Sequence, residues 1–260
     1  TGLRRYVHLA TGNYNQQTAR LYTDVSLFTA REEIGEDATA LFNLLTGYSA
    51  PNKWNRLIAA PLGLHESILG LIKRETEHAR EGRPAHIIAK MNAIVDADVI
   101  AALYAASQAG VRIQLLVRGI CCLRPGVPGV SDNIEVLAVV DRFLEHARIF
   151  YFQNGGDDEV FFSSADWMPR NFRRRVEVMF PVLDDALKRR VRDEILGTML
   201  ADNVKSWRLD ERGRYQRVAA GETELRSQVV FMELARERAR DADRVIARPL
   251  TAAPSPMATM

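Results

Sequence analysis

The sequence predicts an α/β protein built on a mixed sheet. Residues 86–118 read as strand, helix, strand with short links, the pattern of a right-handed parallel crossover. VRIQLLVR, 111–118, is a nearly continuous apolar run, which marks a strand buried on both faces. IFYFQNGGDDEVFFSS, 149–164, gives two strands around an NGGD turn, so part of the sheet is antiparallel.

Taken in order, the first strand covers 3–10 and is followed by a turn at Gly12 and Asn13. A further extended segment covers 18–30. EDATALFNLLTG has helical apolar spacing over 36–47 and stops at Gly47. SAPNK, 49–53, contains a proline and no apolar period and reads as a linker. Beyond it, LIAAP at 57–61 is a short buried strand and 62–82 an amphipathic helix. HIIAK at 86–90 is a strand, and 96–109 a helix ended by Gly110. Asp132 and Glu135 have capping-box spacing and predict a helix over 132–145. RRVEVMFPV at 174–182 alternates and predicts a strand. Arg-rich amphipathic helices are expected over 184–205 and 224–246, outside the sheet. The end of the chain, 241–260, reads as a flexible tail.

Composition narrows the class. Of 260 residues, 47% are hydrophobic and 26% charged, which is ordinary for a globular protein. A net charge of +2 creates no overall field toward nucleic acid, so basic chemistry must be local. No apolar run approaches the ~20 residues of a membrane helix. Cys121 and Cys122 are adjacent, and neighbouring Cα atoms sit ~3.8 Å apart, below the usual disulfide span. They read as reduced thiols, which places the protein in the cytoplasm. There is no initiator Met and no signal peptide, and the first residues already read as a strand. The chain is therefore expected to be a fragment that begins inside a domain.

The chemistry concentrates in 141–175, DRFLEHARIFYFQNGGDDEVFFSSADWMPRNFRRR. His146 and Arg148 are two apart, so on a strand they share a face. SSAD follows, and then Arg170, Arg173, Arg174 and Arg175. Imidazole can move a proton or attack phosphorus near neutral pH, and guanidinium holds the spread charge of a phosphoryl group. In open α/β sheets, ligands gather beyond the carboxyl ends of parallel strands. Lys90 closes one such strand, Arg118 the next, and Ser163, Ser164 and Asp166 follow a third. Strand alternation through 173–175 puts Arg173 and Arg175 opposite Arg174, and Arg175 is the favoured ligand of the cluster. His8, His65, His78 and His86 read as structural: HESIL lacks the second histidine of a zinc-protease helix, and Glu75 with His78 is a single unpaired Glu-x-x-His. No GxxxxGK loop is present, so any handling of ATP proceeds without a P-loop.

HLATGNYN (8–15), ARLYTDVSLFTA (19–30), LLVRGICCLRPGVPGVSDNI (115–134), DRFLEHARIFYFQNGG (141–156) and SSADWMPRN (163–171) resemble the carboxyl-terminal part of the bacterial polyphosphate kinase family. The resemblance covers about residues 1–240. It implies two phospholipase D-like α/β domains. Residues 1–51 would end the first, 52–240 would be the second, and further amino-terminal domains would be missing. It also implies reversible transfer of the ATP γ-phosphate to inorganic polyphosphate through a phosphohistidine. That nucleophile lies in a His-x-Lys motif upstream of Thr1, and His8 does not match it. By the same resemblance Tyr22, Arg118 and His146 match nucleotide-contacting positions, His146 is a catalytic acid/base, and Arg175 lines the phosphate path. Mg2+ is the implied cofactor, with ligands upstream, and ATP and ADP are substrates. Inorganic polyphosphate and a second copy of the intact protein are the implied partners, and nucleic acid is not one.

Two other readings stay open. A phospholipase D-like phosphodiesterase would use His146 itself as nucleophile, although Arg148 replaces the usual lysine and SSAD replaces a Gly-Ser-x-Asn counterpart. A non-catalytic polyanion-binding module would use the same basic groups.

Overall fold

The computed structural model describes residues 4–47 and 53–246. The first stretch contains β1 (Val7–Ala10), β2 (Tyr22–Thr23), β3 (Ser26–Thr29) and helix α1 (Glu32–Leu45). β1 and β3 pair antiparallel. Then come β4 (Ile58–Ala60), α2 (Leu64–Arg80), β5 (His86–Met91), α3 (Ala97–Gln108), β6 (Arg112–Val117) and β7 (Ile134–Val139). β8 (Leu144–Glu145), β9 (Arg148–Phe152), β10 (Glu159–Ser163), α4 (Pro169–Arg174) and β11 (Glu177–Pro181) follow. Helix α5 (Asp185–Arg189) continues through a π-helical stretch (Arg190–Leu196) into α6 (Gly197–Leu200). β12 (Ser206–Leu209), β13 (Tyr215–Arg217) and α7 (Ser227–Ile246) complete the described residues.

Nine strands form one mixed sheet in the order β13-β12-β7-β6-β5-β9-β10-β11-β4. β5, β6 and β7 are parallel, and every other pairing in it is antiparallel. The alternation makes β10 run in the same direction as β5. The carboxyl ends of β5, β6 and β10 therefore share one edge, as the strand-end pattern predicts.

Both sheet faces are covered. On one face α2 contributes Leu64, Ile68 and Ile72, an i, i+4 stripe with no exposure, against Ile87, Ala89, Leu115 and Phe150. Each such aliphatic contributes about 1.5–3 kcal/mol by leaving water. α3 begins where the Asp96 carboxylate accepts the Val99 N–H at 3.1 Å, and it ends at Gly110, whose φ of 97° suits glycine. On the other face Ile88, Leu116, Ile149 and Tyr151 pack with Ile34 of α1 and Met199 of α6. Asp37 of α1 ties the first stretch to the second: its carboxylate accepts the N–H groups of Asn55, Arg56 and Leu57 at the approach to β4. No helix among the described residues is long and apolar enough to cross a membrane.

Several expectations need correction. Residues 132–145 are not a helix but β7 and β8. The Asp132 carboxylate caps a turn at the Gly129 N–H, 2.7 Å away, and IEVLAV lies buried between β6 and β12. Burial on both faces favours a β-branched run over a local capping signal. The strand expected from 174 starts at Glu177, because Pro169 opens α4 and carries Arg173 and Arg174 into it. Alternation therefore does not describe the arginine cluster. The helix expected over 184–205 stops at Leu200, and β12 and β13, which the pattern reading missed, follow. α1 starts at Glu32, four residues before the expected 36. The linker at 49–53 falls outside the described residues except for Lys53. α7 extends to Ile246 within the expected tail, and 247–260 are outside the described residues.

Candidate functional site

The shared edge gathers charged groups from both stretches of the chain. β2 pairs parallel with β8, Tyr22 opposite Leu144 and Thr23 opposite Glu145. This ladder continues as the N–H groups of His146 and Ala147 both donate to the Thr23 carbonyl at 3.1 Å. Asp24, two residues beyond Tyr22 on the same extended segment, meets the His146 imidazole: Nδ1 lies 3.0 Å from both carboxylate oxygens. The Tyr22 ring sits against the imidazole with centroids 4.5 Å apart. Gly12 makes this arrangement possible, since a side-chain carbon there would collide with the Asp24 carboxylate.

Arg148 is the other neighbour of His146. Its guanidinium grips Asp166 with two bonds, Nε to Oδ1 at 3.2 Å and Nη2 to Oδ2 at 2.8 Å, while both side chains are only 8% exposed. Nη1 lies 3.0 Å from His146 Nε2 and 3.3 Å from the Thr11 carbonyl. The His-x-Arg side chains thus meet, although His146 lies just before β9 and not on the strand that the spacing argument assumed.

Arg118 reaches the same group by a different route. Its Nε donates to Asn92 Oδ1 at 2.6 Å and to the Glu145 carbonyl at 2.7 Å. Among the described residues its two terminal nitrogens have no hydrogen-bond partner, so they are the donors left over for a ligand. Asn92 in turn donates its backbone N–H to Asp166 at 2.7 Å and its amide to the His146 carbonyl at 3.2 Å. Gly119 lets the Arg118 loop lie on Asn92, for a Cβ there would sit 2.7 Å from the Asn92 carbonyl oxygen.

Electrostatics follow from these contacts. Burial alone would raise the Asp24 carboxyl, but hydrogen bonds from His146 and Thr11, with the charges of His146 and Arg148, bring it below its ordinary value. Asp166 is likewise lowered: burial opposes ionisation, and the Arg148 bond and charge with two Asn92 bonds outweigh it. Burial lowers Arg118, which still carries its charge at neutral pH. A carboxyl depressed in the fold adds stability that is complete above its unfolded value, ~3.9, and lost as pH falls through the lower folded value. Thermal unfolding followed by circular dichroism should therefore show a midpoint that declines below about pH 4. Asp24→Asn should make that decline shallower, and an identical slope in the variant would sink the assignment.

Tyr22, Arg118 and His146 are thus brought together. Arg175 is apart from them: its side chain is 56% exposed at the end of α4, with Glu177 Oε1 3.9 Å away. The Ser163 and Ser164 hydroxyls turn toward β11, to the Val178 carbonyl and the Glu177 carboxylate. Sequence reasoning did not single out Asp24, Asn92 or Thr11. Asp24 had a usable signal, because Tyr22-x-Asp24 repeats the i, i+2 logic of His146-x-Arg148.

Among the described residues, the one group of His, Cys, Asp and Glu side chains close enough to share a metal is His65, Asp96 and Asp98. Its parts are engaged: His65 bonds Asp96 at 3.0 Å, and Arg173 lies 3.6 Å from Asp98. The carboxylates beside His146 are held by imidazole and guanidinium. The donor set at the cluster suits an anion and does not fit Mg2+.

Two family models match the chain, "Polyphosphate kinase C-terminal domain 1" over residues 1–51 and "Polyphosphate kinase C-terminal domain 2" over 57–228. The polyphosphate kinase of Rhodopirellula baltica is 58% identical over 217 residues, 84% of this chain and 25% of that protein. That of Synechocystis sp. is 53% identical over 231 residues, 88% of this chain and 32% of that protein. The crystal structure of polyphosphate kinase from Porphyromonas gingivalis superposes with a TM-score of 0.87 at 42% identity, covering 92% of this chain and 37% of the other. The chain spans between 25% and 32% of the length of these two relatives.

Proposed function

The chain belongs to the polyphosphate kinase family, and we propose on that premise that it forms the nucleotide-gripping wall of an ATP:polyphosphate phosphotransferase. The observation that carries the reading is the convergence of Tyr22, Arg118 and His146, from three distant parts of the sequence, on one edge of the sheet. A triphosphate needs cationic donors, a group that can exchange a proton and a surface for the base, and these three residues supply them.

Each residue has a defined task. The free terminal nitrogens of Arg118 take phosphate oxygens. The Tyr22 ring lies beside the imidazole and offers its outer face or hydroxyl to the nucleotide. Asp24 accepts from His146 Nδ1 and so keeps the proton on that nitrogen, leaving Nε2 as the atom that exchanges a proton with the transferring group. Arg148 donates to Nε2 from Nη1 at 3.0 Å while no nucleotide is present, and a phosphoryl oxygen that draws this donor onto itself leaves Nε2 open for the exchange. In the forward direction the bond between the γ-phosphorus and the β–γ bridging oxygen breaks, and its electron pair leaves with ADP. The γ-phosphorus then bonds a new acceptor atom. On the family pattern that acceptor is first an upstream histidine and then the terminal oxygen of polyphosphate. Arg175 would line the path of that polyanion, whose binding should weaken with salt. On the family pattern, Mg2+ would be held by groups upstream of Thr1. A cytoplasmic setting, with ATP at hand and thiols reduced, suits the reaction.

The test is nucleotide titration by calorimetry. ATP should bind the chain, and Arg118→Ala should weaken it by about 10- to 100-fold, the worth of one or two charged hydrogen bonds. Arg118→Lys should recover only part of this, because lysine cannot hold Asn92 and Glu145 while presenting two further donors. Unaltered affinity in Arg118→Ala would refute the site. Acid-labile label from γ-labelled ATP on the chain by itself would instead favour the phosphodiesterase-like use of His146 as nucleophile.

A further inference from the structure

The segment that carries His146 is held in an unusual way. It lies between β7 and β9, and β8 within it pairs only with the two residues of β2. Five consecutive carbonyls here, those of residues 143–147, each accept from a side chain of a different part of the fold. Gln228 Nε2 takes Phe143 at 2.9 Å, Thr23 Oγ1 takes Leu144 at 2.8 Å and Arg118 Nε takes Glu145 at 2.7 Å. Asn92 Nδ2 takes His146 at 3.2 Å, and Lys90 Nζ takes Ala147 at 3.0 Å. Side-chain donors thus do here what a ladder does in a regular strand.

Lys90 stands out among the five. It is a cation on β5 with its side chain 4% exposed, 3.4 Å from the Glu145 carboxylate. Glu145 Oε1 accepts a second bond from Gln228 at 2.9 Å. Lys90 therefore contacts the residue before His146 through its side chain and the residue after it through its carbonyl. Burial pushes the Lys90 ammonium below its ordinary value while Glu145 opposes the shift. A buried charge of this kind is costly unless its partners hold it.

We propose that Lys90 is a positioning residue for the phosphoryl-transfer site, setting the His146 imidazole against Asp24 and the Arg118 guanidinium toward the nucleotide by bracketing the 145–147 segment. This deepens the proposed function and rests on it. Lys90 touches no ligand in this reading: it acts through Glu145, whose carbonyl orients Arg118, and through Ala147, whose carbonyl fixes the far side of the histidine.

The experiment uses the full chain labelled with 15N-histidine, with the His146 ring signals assigned by comparison with His146→Gln. Wild type should show a protected Nδ1–H resonance from the bond to Asp24. Lys90→Met should lose that resonance and bind ATP about tenfold more weakly, the equivalent of one charged hydrogen bond. Because a lone buried Glu145 destabilises the single variant, the double variant Lys90→Met/Glu145→Leu is measured beside it; removing both members of a buried pair is commonly well tolerated. The double variant should melt near wild type yet still lack the Nδ1–H resonance and the tenfold of affinity. Recovery of both in the double variant, or their persistence in Lys90→Met, would overturn the proposal, since Lys90 would then be only a buried ion-pair partner. If wild type fails to bind ATP while the double variant still loses the resonance, the positioning holds and the nucleotide reading falls.

Discussion

On the proposed function, replacing His146 by glutamine should lower ATP-dependent polyphosphate synthesis by about 10²- to 10⁴-fold, the range that a proton-transfer group supplies. Glutamine keeps a donor near Asp24, so the substitution tests the imidazole chemistry more than the packing. The ring contacts Tyr22 at a centroid distance of 4.5 Å, so nucleotide affinity should also fall, but by less than turnover. The informative measurement is the split between the two. A large loss of kcat with a KM for ATP changed by no more than a fewfold marks an interaction made in the transition state. Equal loss in affinity with kcat intact would reduce His146 to a binding residue, and normal turnover would remove it from the site.

The largest stability effect should come from Asp166→Asn. The carboxylate accepts five bonds in one place: two from Arg148, the backbone N–H groups of Asn92 and Ala93, and the Asn92 side-chain amide. Asparagine preserves the volume but removes the charge, leaving the buried Arg148 guanidinium without the carboxylate it grips. Breaking a buried pair in this way costs about 3–5 kcal/mol. The measurement is a urea unfolding curve, in which the midpoint should shift strongly while the slope stays constant. The damage should also reach Arg118, since Asn92, which accepts from its Nε, would be held by a neutral amide oxygen in place of the carboxylate. A variant within about 0.5 kcal/mol of wild type, the range of an ordinary surface substitution, would show that the pair is not a structural keystone.

How much of this was legible before the structure differs from residue to residue. His146 and Arg148 were placed together by strand alternation, and they do meet, although only Arg148 is on a strand. The parallel β5-α3-β6 unit was legible because its apolar runs are long, and Asp96 and Gly110 punctuate it. β7 was not, because Asp132 and Glu135 imitate a helix start and only the flanking β6 and β12 decide otherwise. The donors around 143–147 come from residues 23, 90, 92, 118 and 228, and no local pattern connects them. Arg118 was found at its strand end, yet which of its nitrogens is spent on Asn92 and Glu145 is a tertiary fact. The role of Asp24 was legible in principle and overlooked, because it lies in the short extended segment beside Tyr22 with no histidine near it in sequence.

The two-rung ladder between Tyr22–Thr23 and Leu144–Glu145 joins parts of the chain that are made far apart in time. Thr23 and Leu144 are separated by 121 positions, and closing a loop of that length costs roughly 4 kcal/mol in chain entropy. On a ribosome adding about 5–20 residues per second, Tyr22 and Asp24 emerge on the order of ten seconds before the histidine they will meet. The upstream hairpin must stay soluble through that interval with its future partner unmade. The contact between Tyr22, Asp24 and His146 is therefore acquired late in biogenesis.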